Sequence, residues 1–403
     1  MLKKIIIIGV SLFILITGFI CYKKFEKEKV NISNTLQIDD SINLDTGYEK
    51  VNWDSLEKNV LDLSNKSIII DKEGTYTLKG TINNGSIMVN VKGNVKLILD
   101  NVSITNNLGP AIIVEQAENT IIELKKDSVN TLIDGSNYEN LEYDGCVFSK
   151  DDLILKGEGT LNVISNYLDA IVSNDDLTIE SGNYIINSND DGIRGKDSVY
   201  IINGDFTINS NGDGIKSTND TDTEKGYVNI LNGKFNVNSL QDGIQAETKL
   251  IIENGNFNIK TSDGNESEDY MLYKDFYGGS SYDSTSRKAL KSVDNLVIKN
   301  GIFTIDSKDD AIHSNNYLGI TNGVINIKSG DDGVHADTEI IIDNGNVNIS
   351  KSYEGIEAND ITINGGNISV IASDDGINVS GGKDSSSMGG RPGQNHFSSS
   401  LVL

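Results

Sequence analysis

VYIINGDFTINSNGDGI, residues 199–215, recurs as VNILNGKFNVNSLQDGI at 228–244, LVIKNGIFTIDSKDDAI at 296–312 and LGITNGVINIKSGDDGV at 318–334, then as IIIDNGNVNISKSYEGI at 340–356 and ITINGGNISVIASDDGI at 361–377. Each copy reads as a strand, an Asn-Gly or Gly-Gly turn, a second strand, a polar stretch and a corner of the Asp-Gly-Ile type. The turn glycines are Gly182, Gly204, Gly233, Gly255, Gly301, Gly323, Gly345 and Gly366, and their intervals are 21 or 22 residues except for one of 29 and one of 46. A fixed period in this range, with short strands and no helical periodicity, is the signature of a β-solenoid in which each repeat is one coil. A β-sandwich, with turns every 8 to 12 residues, does not predict so constant a period.

The geometry of a coil accounts for the residue types. Strands of successive coils pair in parallel about 4.8 Å apart, and inward side chains stack on their copies. Glycine takes corners that need positive φ or close backbone approach. The column Ile193, Ile215, Ile244, Leu290, Ile312, Val334, Ile356 and Ile377 is then a core ladder. Upstream strands such as GTYTLKGTI, VKLILDNVSI and TIIELKKDSV extend the same solenoid back to near residue 66. The expected organisation is a signal or anchor at 1–22, a polar stalk at 23–60, the solenoid at 61–380 and a Gly/Ser-rich tail at 381–403.

Composition supports an all-β chain and excludes one class of partner. With 59 Asp+Glu against 34 Lys+Arg, the net charge of -25 rules against nucleic-acid binding. Cys21 lies in the apolar N-terminal segment and Cys146 in the repeat region, so no disulfide between them is expected. Residues 5–22 (IIIIGVSLFILITGFICY) are uncharged between Lys3-Lys4 and Lys23-Lys24 and, as a helix, would span roughly 27 Å. Ile20 precedes Cys21, which does not suit a lipoprotein signal, and no small-x-small cleavage site follows. The reading is an uncleaved membrane anchor on an extracellular, cell-surface protein, or a secreted one if the segment is removed.

Just before the Ile ladder the alignment stacks Asp191, Asp213, Asp242, Lys288, Asp310, Asp332, Glu354 and Asp375, with Asp190, Asp309, Asp331 and Asp374 beside them. Carboxylates about 5 Å apart repel by about 3 kcal/mol per adjacent pair at an effective dielectric near 20. Calcium, which takes six to eight oxygens at flexible angles, would offset that repulsion. A second column holds Asp151, Asp175 and Asp197, with Asp152 and Asp176 adjacent. The candidate Ca2+ ligands are therefore Asp309, Asp310, Asp331, Asp332, Asp190, Asp191, Asp213, Asp151, Asp175, Asp197, Glu354 and Asp375. The preferred site is the Asp309, Asp310, Asp331 and Asp332 group, where Lys308 is the only basic neighbour in the alignment. For any single Asp, the competing reading is a solvated turn residue bonding its own backbone. One position past the Ile ladder lies a mixed column, Arg194, Lys216, Gln245, Lys291, His313, His335, Glu357 and Asn378. Its tolerance of both charges reads as a solvated outer position, although His313 and His335, one coil apart, also invite an acid-base or metal reading.

Two intervals carry insertions. The first, residues 217–226, reads as a plain polar loop. The second, residues 263–286, holds Tyr270, Tyr273, Phe276, Tyr277 and Tyr282, rings that can stack on sugars or cover one end of the coil stack. Arg287 and Lys288, next to it, are placed to meet a uronate carboxylate.

The run SKDDLIL (149–155), NDDGIRGKDSV (189–199), GDGIKSTNDTDTEKGYVNI (212–230) and LQDGIQAET (240–248), with GTYTLKGTI and TLIDGS upstream, resembles the clostridial carbohydrate-binding β-helix family, whose fold is like that of polysaccharide lyases. The resemblance covers residues 60–395. It implies a right-handed parallel β-helix, bound calcium and binding of cellulose and of acidic sugars such as polygalacturonate. The chain departs from the pattern at Lys288-Ala289-Leu290, where Asp-Gly-Ile is expected. It departs again at its Gly/Ser-rich end, which in relatives leads to further strands and here stops. The expected function is a non-catalytic polysaccharide-binding surface protein. A pectate lyase-like or hydrolytic enzyme and a structural adhesin are the alternatives. Catalysis is disfavoured because Arg194, Arg287 and Arg391 are the only arginines, and because the Asp-Asp pairs recur coil after coil where an active site should occur once.

Overall fold

The structure, a computed structural model, describes residues 48–64, 66–266, 285–379 and 400–403. Among the described residues there is no α-helix. Short strands in parallel ladders form one continuous 35-stranded sheet wound into a parallel β-helix.

Each coil contributes one strand to each of three faces. In one coil these are Ser198–Ile201 on face B, Asp205–Ser210 on face C and Ile215–Ser217 on face A. They pair in register with the next coil, Val199 with Val228, Phe206 with Phe235 and Ile215 with Ile244. The register is the one expected from the glycine alignment, and the Ile ladder is fully buried from Ile193 through Ile356, with Ile377 half-buried in the last coil. A second core ladder runs along face C. Tyr184, Phe206, Phe235, Phe257 and Phe303 stack with centroids 5.0, 4.8, 4.7 and 4.6 Å apart and planes within 10° of parallel. Each ring sits two residues after a turn glycine. At Gly255, with φ of +143°, a Cβ would lie 2.7 Å from Cε2 of Phe257, so glycine is needed both for the backbone and for the ring.

Face C strands from Asn183–Ser188 to Val324–Ser329 end in a buried Ser or Thr. Ser188, Ser210, Ser239, Ser307 and Ser329 each donate Oγ–H to the carbonyl two residues on, closing the corner that leads to the acidic column. The hydroxyl gives the corner carbonyl a donor, in addition to a backbone N–H of the next coil at Asp190, Gly212 and Asp331.

The limits of the solenoid differ from the expected ones. The first rung is Lys58–Ser64, paired with Thr75–Thr81, so the coil stack starts before residue 61. Tyr48 and Trp53, expected in the stalk, pack outside face B against Ile121 and Ile154, with Lys156 and Lys96 ammoniums over their rings. The chain also does not stop at the Gly/Ser-rich stretch. Ser400–Val402 pairs in parallel with Asp360–Thr362 as a further rung of face B. Cys146 is free and fully buried.

Candidate functional site

The acidic column is built into the backbone. The Asp191 N–H donates to Asp169 Oδ1 at 2.9 Å, Asp213 N–H to Asp191 Oδ1 at 2.7 Å, and Asp242 N–H to Asp213 Oδ1 at 2.7 Å. The Lys288 N–H continues to Asp242 at 2.7 Å, Asp332 N–H donates to Asp310 at 2.9 Å, and Glu354 N–H to Asp332 at 3.3 Å. At the one step where the previous coil offers no carboxylate, because it carries Lys288, the Asp310 N–H turns to Asp309 Oδ1 instead, at 3.0 Å. One oxygen of each of these acids thus caps a corner amide of the next coil, an arrangement that favours the charged carboxylate.

The second oxygen meets a cation from the mixed column. Arg194 Nε donates to Asp169 Oδ2 at 2.7 Å and its guanidinium also pairs with Asp144. Lys216 lies 2.8 Å from Asp213 and 3.7 Å from Asp191, and Lys291 lies 3.1 Å from Asp242. His313 Nδ1 is 2.8 Å from Asp310 Oδ2, and His335 Nδ1 is 2.9 Å from Asp332 Oδ2. The expected solvated outer position is therefore a counter-charge column, and the two imidazoles, stacked 4.9 Å apart, are 2% and 0% exposed. Burial opposes a charge on His335, but hydrogen bonds to Asp332, Asp337 and Glu357 outweigh it and hold the ring protonated. Burial pushes Asp169 and Asp213 up to about 7, neighbouring acids add to this, and Arg194 and Lys216 pull them back.

Lys288, the departure from the repeat, is the centre of this column. It is 3% exposed and its ammonium lies 3.0 Å from Asp309 and 2.8 Å from Asp310. Burial alone would raise Asp310, but Lys288 and His313 hold its carboxyl well below the usual range. Two sequence readings change here. Lys288 is committed inside the corner and is not offered to a sugar, and the Asp309, Asp310, Asp331 and Asp332 group has a built-in cation that the alignment hid, because it arrives from the coil below. Asp309, Asp310 and Asp331 do converge, with candidate donor atoms within 4.8 Å of one another. Asp190 and Asp191 converge likewise with Asp169, while Asp375 is exposed on the last described coil.

The second column forms a cluster of different character. Asp152, Asp175 and Asp176 place oxygens within 4.8 Å of one another, all half-buried. Burial and then Asp176 push Asp152 up to about 6, and burial and then Asp197 push Asp175 up to about 7. Among the described residues no lysine or arginine pairs with these three. Asp151 instead accepts the Ala117 N–H at 2.7 Å. Asp197 is met by the 217–226 insertion, which is more than a plain polar loop. It lays Asn219 on one oxygen at 2.6 Å and Lys225 on the other.

The aromatic residues Tyr270, Tyr273, Phe276, Tyr277 and Tyr282 and the anchor segment 5–22 lie outside the described residues. The described start of the aromatic insertion, a 3-10 turn at Gly264–Glu266, docks on the rim of face C. Asn265 donates twice to Asp306, at 2.9 and 2.7 Å, and accepts from Lys351 at 2.8 Å. Arg287 follows the insertion and is half-buried. Among the described residues no helix is long and apolar enough to cross a membrane.

Comparison with known proteins agrees with the repeat. A carbohydrate-binding domain-containing protein of Acetivibrio thermocellus is 35% identical over 145 residues, which is 34% of this chain and 50% of that protein, so the chain spans about half the length of this relative. The solved polysaccharide lyase-like protein from C. thermocellum, a gadolinium derivative, superposes with a TM-score of 0.44 at 24% identity, over 74% of this chain and 99% of its own. The family model for carbohydrate-binding domain-containing proteins matches residues 64–333 and 332–376. Nearly the whole solenoid is thus covered by one family, and the chain belongs to the carbohydrate-binding domain-containing proteins.

Proposed function

We propose that this chain is a cell-surface protein that binds polysaccharide without cleaving it, is stabilised by calcium, and is anchored by residues 5–22. The observation that carries the non-catalytic reading is the fate of the acids. A hydrolase needs a carboxylate pair free to exchange protons with substrate. Here each member of the main column from Asp169 to Asp332, Lys288 apart, caps an amide of the next coil or pairs with a fixed cation, repeated coil after coil. Family membership supports carbohydrate as the ligand, and the uncharged run at 5–22 between lysines supports the anchor.

For calcium, the Asp152, Asp175 and Asp176 cluster fits better than the Lys288 corner. Its three carboxylates converge with no ammonium paired to them, the nearby Lys225 being bound to Asp197, and an all-oxygen donor set suits a hard divalent cation. An ion bound only to the folded state raises the melting temperature by mass action. Calcium should therefore raise it, and Asp152→Asn with Asp175→Asn should abolish that response. An equal calcium response in the double variant refutes the placement. Function is tested by retention on cellulose and on polygalacturonate, with calcium and with chelator, alongside an assay for new reducing ends or unsaturated products. No retention on any polysaccharide sinks the binding reading, and product formation sinks the non-catalytic one.

A further inference from the structure

Face C carries an outward surface unlike the rest of the molecule. From Asn183–Ser188 to Asn367–Val370, its outward positions bear Asp205 and Asp306 against Lys234, Lys260, Lys328 and Lys351, a formal +2 (four minus two) on a chain of -25. The central outward column is uncharged over six coils, reading Thr207, Asn236, Asn258, Thr304, Asn326 and Asn348. Some of these side chains pair along the axis. Asn258 donates to Asn236 Oδ1 at 2.7 Å, and the flanking Asn238, Asn209 and Asn187 are linked at 3.2 and 3.1 Å. An amide has two N–H donors and two acceptor lone pairs. Among the described residues none of these asparagines makes more than one bond up and one bond down the face, so each keeps at least a donor and an acceptor for solvent or ligand. Towards one end, the face dips into a shallow groove of about 360 Å³, lined by Asn183, Asp205, Thr207, Lys234 and Asn236.

Building on the carbohydrate-binding reading, we propose that face C is the binding surface and that its ligand class is an uncharged polysaccharide lying along the solenoid axis. A chain of pyranose rings presents hydroxyls that both donate and accept, once per ring, on a scale close to the coil spacing set by the stacked phenylalanines. A column of amides and threonine hydroxyls, with two of its steps paired, answers that pattern without charge. A polyuronate would find few cations here, on a chain whose overall field repels it. The rim position of Asn265, held between Asp306 and Lys351, brings the start of the aromatic insertion to the edge of this same face.

The test uses the full chain, amorphous cellulose as the uncharged probe and polygalacturonate as the charged one. Asn236→Ala, Asn258→Ala and Asn326→Ala combined remove exposed hydrogen-bonding groups from three coils and should weaken cellulose retention at least about tenfold with an unchanged melting temperature. Retention by the parent protein should survive about 1 M NaCl, where the Debye length is about 3 Å. If the triple variant folds poorly, the single Asn258→Glu change should produce the same loss. Equal retention by parent and variants moves the site off face C while the carbohydrate reading stands. Retention of polygalacturonate alone, lost in salt, overturns the ligand class. A change in sedimentation on substitution assigns the face to a second copy of the chain. No retention of either polymer removes the reading on which the inference rests.

Discussion

Lys288→Ala separates a structural cation from a repeat that has none at this position. The ammonium is buried, 3.0 Å from Asp309 and 2.8 Å from Asp310, and Asp310 is fully buried. Removing the ammonium leaves two buried carboxylates with the His313 ring, at 2.8 Å from Asp310, and corner amides to meet them, and costs about 3–5 kcal/mol. The sign of the pH dependence follows from Asp310. In the parent its carboxyl is held well below the ordinary value, so its contribution is present above the unfolded value and is lost as pH falls through the folded one. In the variant, burial without Lys288 raises it, so protonation relieves the strain. The difference between the two proteins should be largest at neutral pH and shrink towards pH 4. A long repeat array need not unfold in one step, so the assay is amide hydrogen exchange in Leu290–Ser292 and Ile312–Ser314, followed from pH 4 to 7 with matched intrinsic rates. The vacated space between Asp309, Asp310 and Asp331 should also make the variant's local protection respond to calcium more than the parent's does. Equal protection in parent and variant at neutral pH would refute the reasoning, since it would mean that the carboxylates carry no uncompensated charge.

Ile312→Asp places a carboxylate at a position with no solvent exposure in the stacked core, and a soluble, protease-resistant product would count against the ladder. Gly255→Ala combines φ of +143° with a Cβ 2.7 Å from the Phe257 ring, and should cost about 1–3 kcal/mol, seen as a lower melting temperature. Glu354 is pushed up to about 7 by burial and then by Glu357. Its favourable contribution is therefore present at low pH and lost as pH rises through about 7, and Glu354→Gln should flatten that loss in melts recorded from pH 5 to 8. An unchanged pH slope would show that the group is solvated.

The coil stack was legible because a solenoid writes its register into the sequence once per coil. Aligning the turn glycines is enough to bring Ile193 onto Ile215 and Asp191 onto Asp213, and the backbone pairs them that way. Side-chain direction was harder to read. A column holding Arg194, Gln245, His335 and Glu357 looks tolerant and hence solvated, although its basic members pair with acids of the neighbouring column. The signal was present as a three-residue spacing, Asp213 to Lys216, Asp310 to His313 and Asp332 to His335, each a close pair in the structure. The stacked rings are also written in the sequence, two places after Gly182, Gly204, Gly233, Gly255 and Gly301. Lys288 was read as a break because the alignment compares residues in one column, whereas its partner is the acid in the coil above.

Repulsion between stacked acids does not by itself call for a metal, because the solenoid has three other means of meeting it. Corner amides take one oxygen of the main column, lysines, an arginine and imidazoles take the other, and Lys288 replaces an acid outright. Where a coil lacks its own cation, as at Gln245, Asp242 is served by Lys291 from the next coil at 3.1 Å, so compensation is shared along the axis. Asp152 caps the Asp176 amide in the same way, at 3.2 Å, but no lysine or arginine pairs with Asp152, Asp175 or Asp176 among the described residues, and the calcium proposal rests on that difference. The same reasoning narrows where a polysaccharide can lie. Side chains committed to internal ion pairs cannot also exchange partners with a ligand without leaving a buried charge exposed to the full cost of desolvation. The amides of face C, exposed and only partly bonded to one another, can do so at little cost. Division of labour between an ionic corner and a neutral face therefore follows from the order of residues within each coil, with acids before the core isoleucine and asparagines on the outward positions of the strand before it.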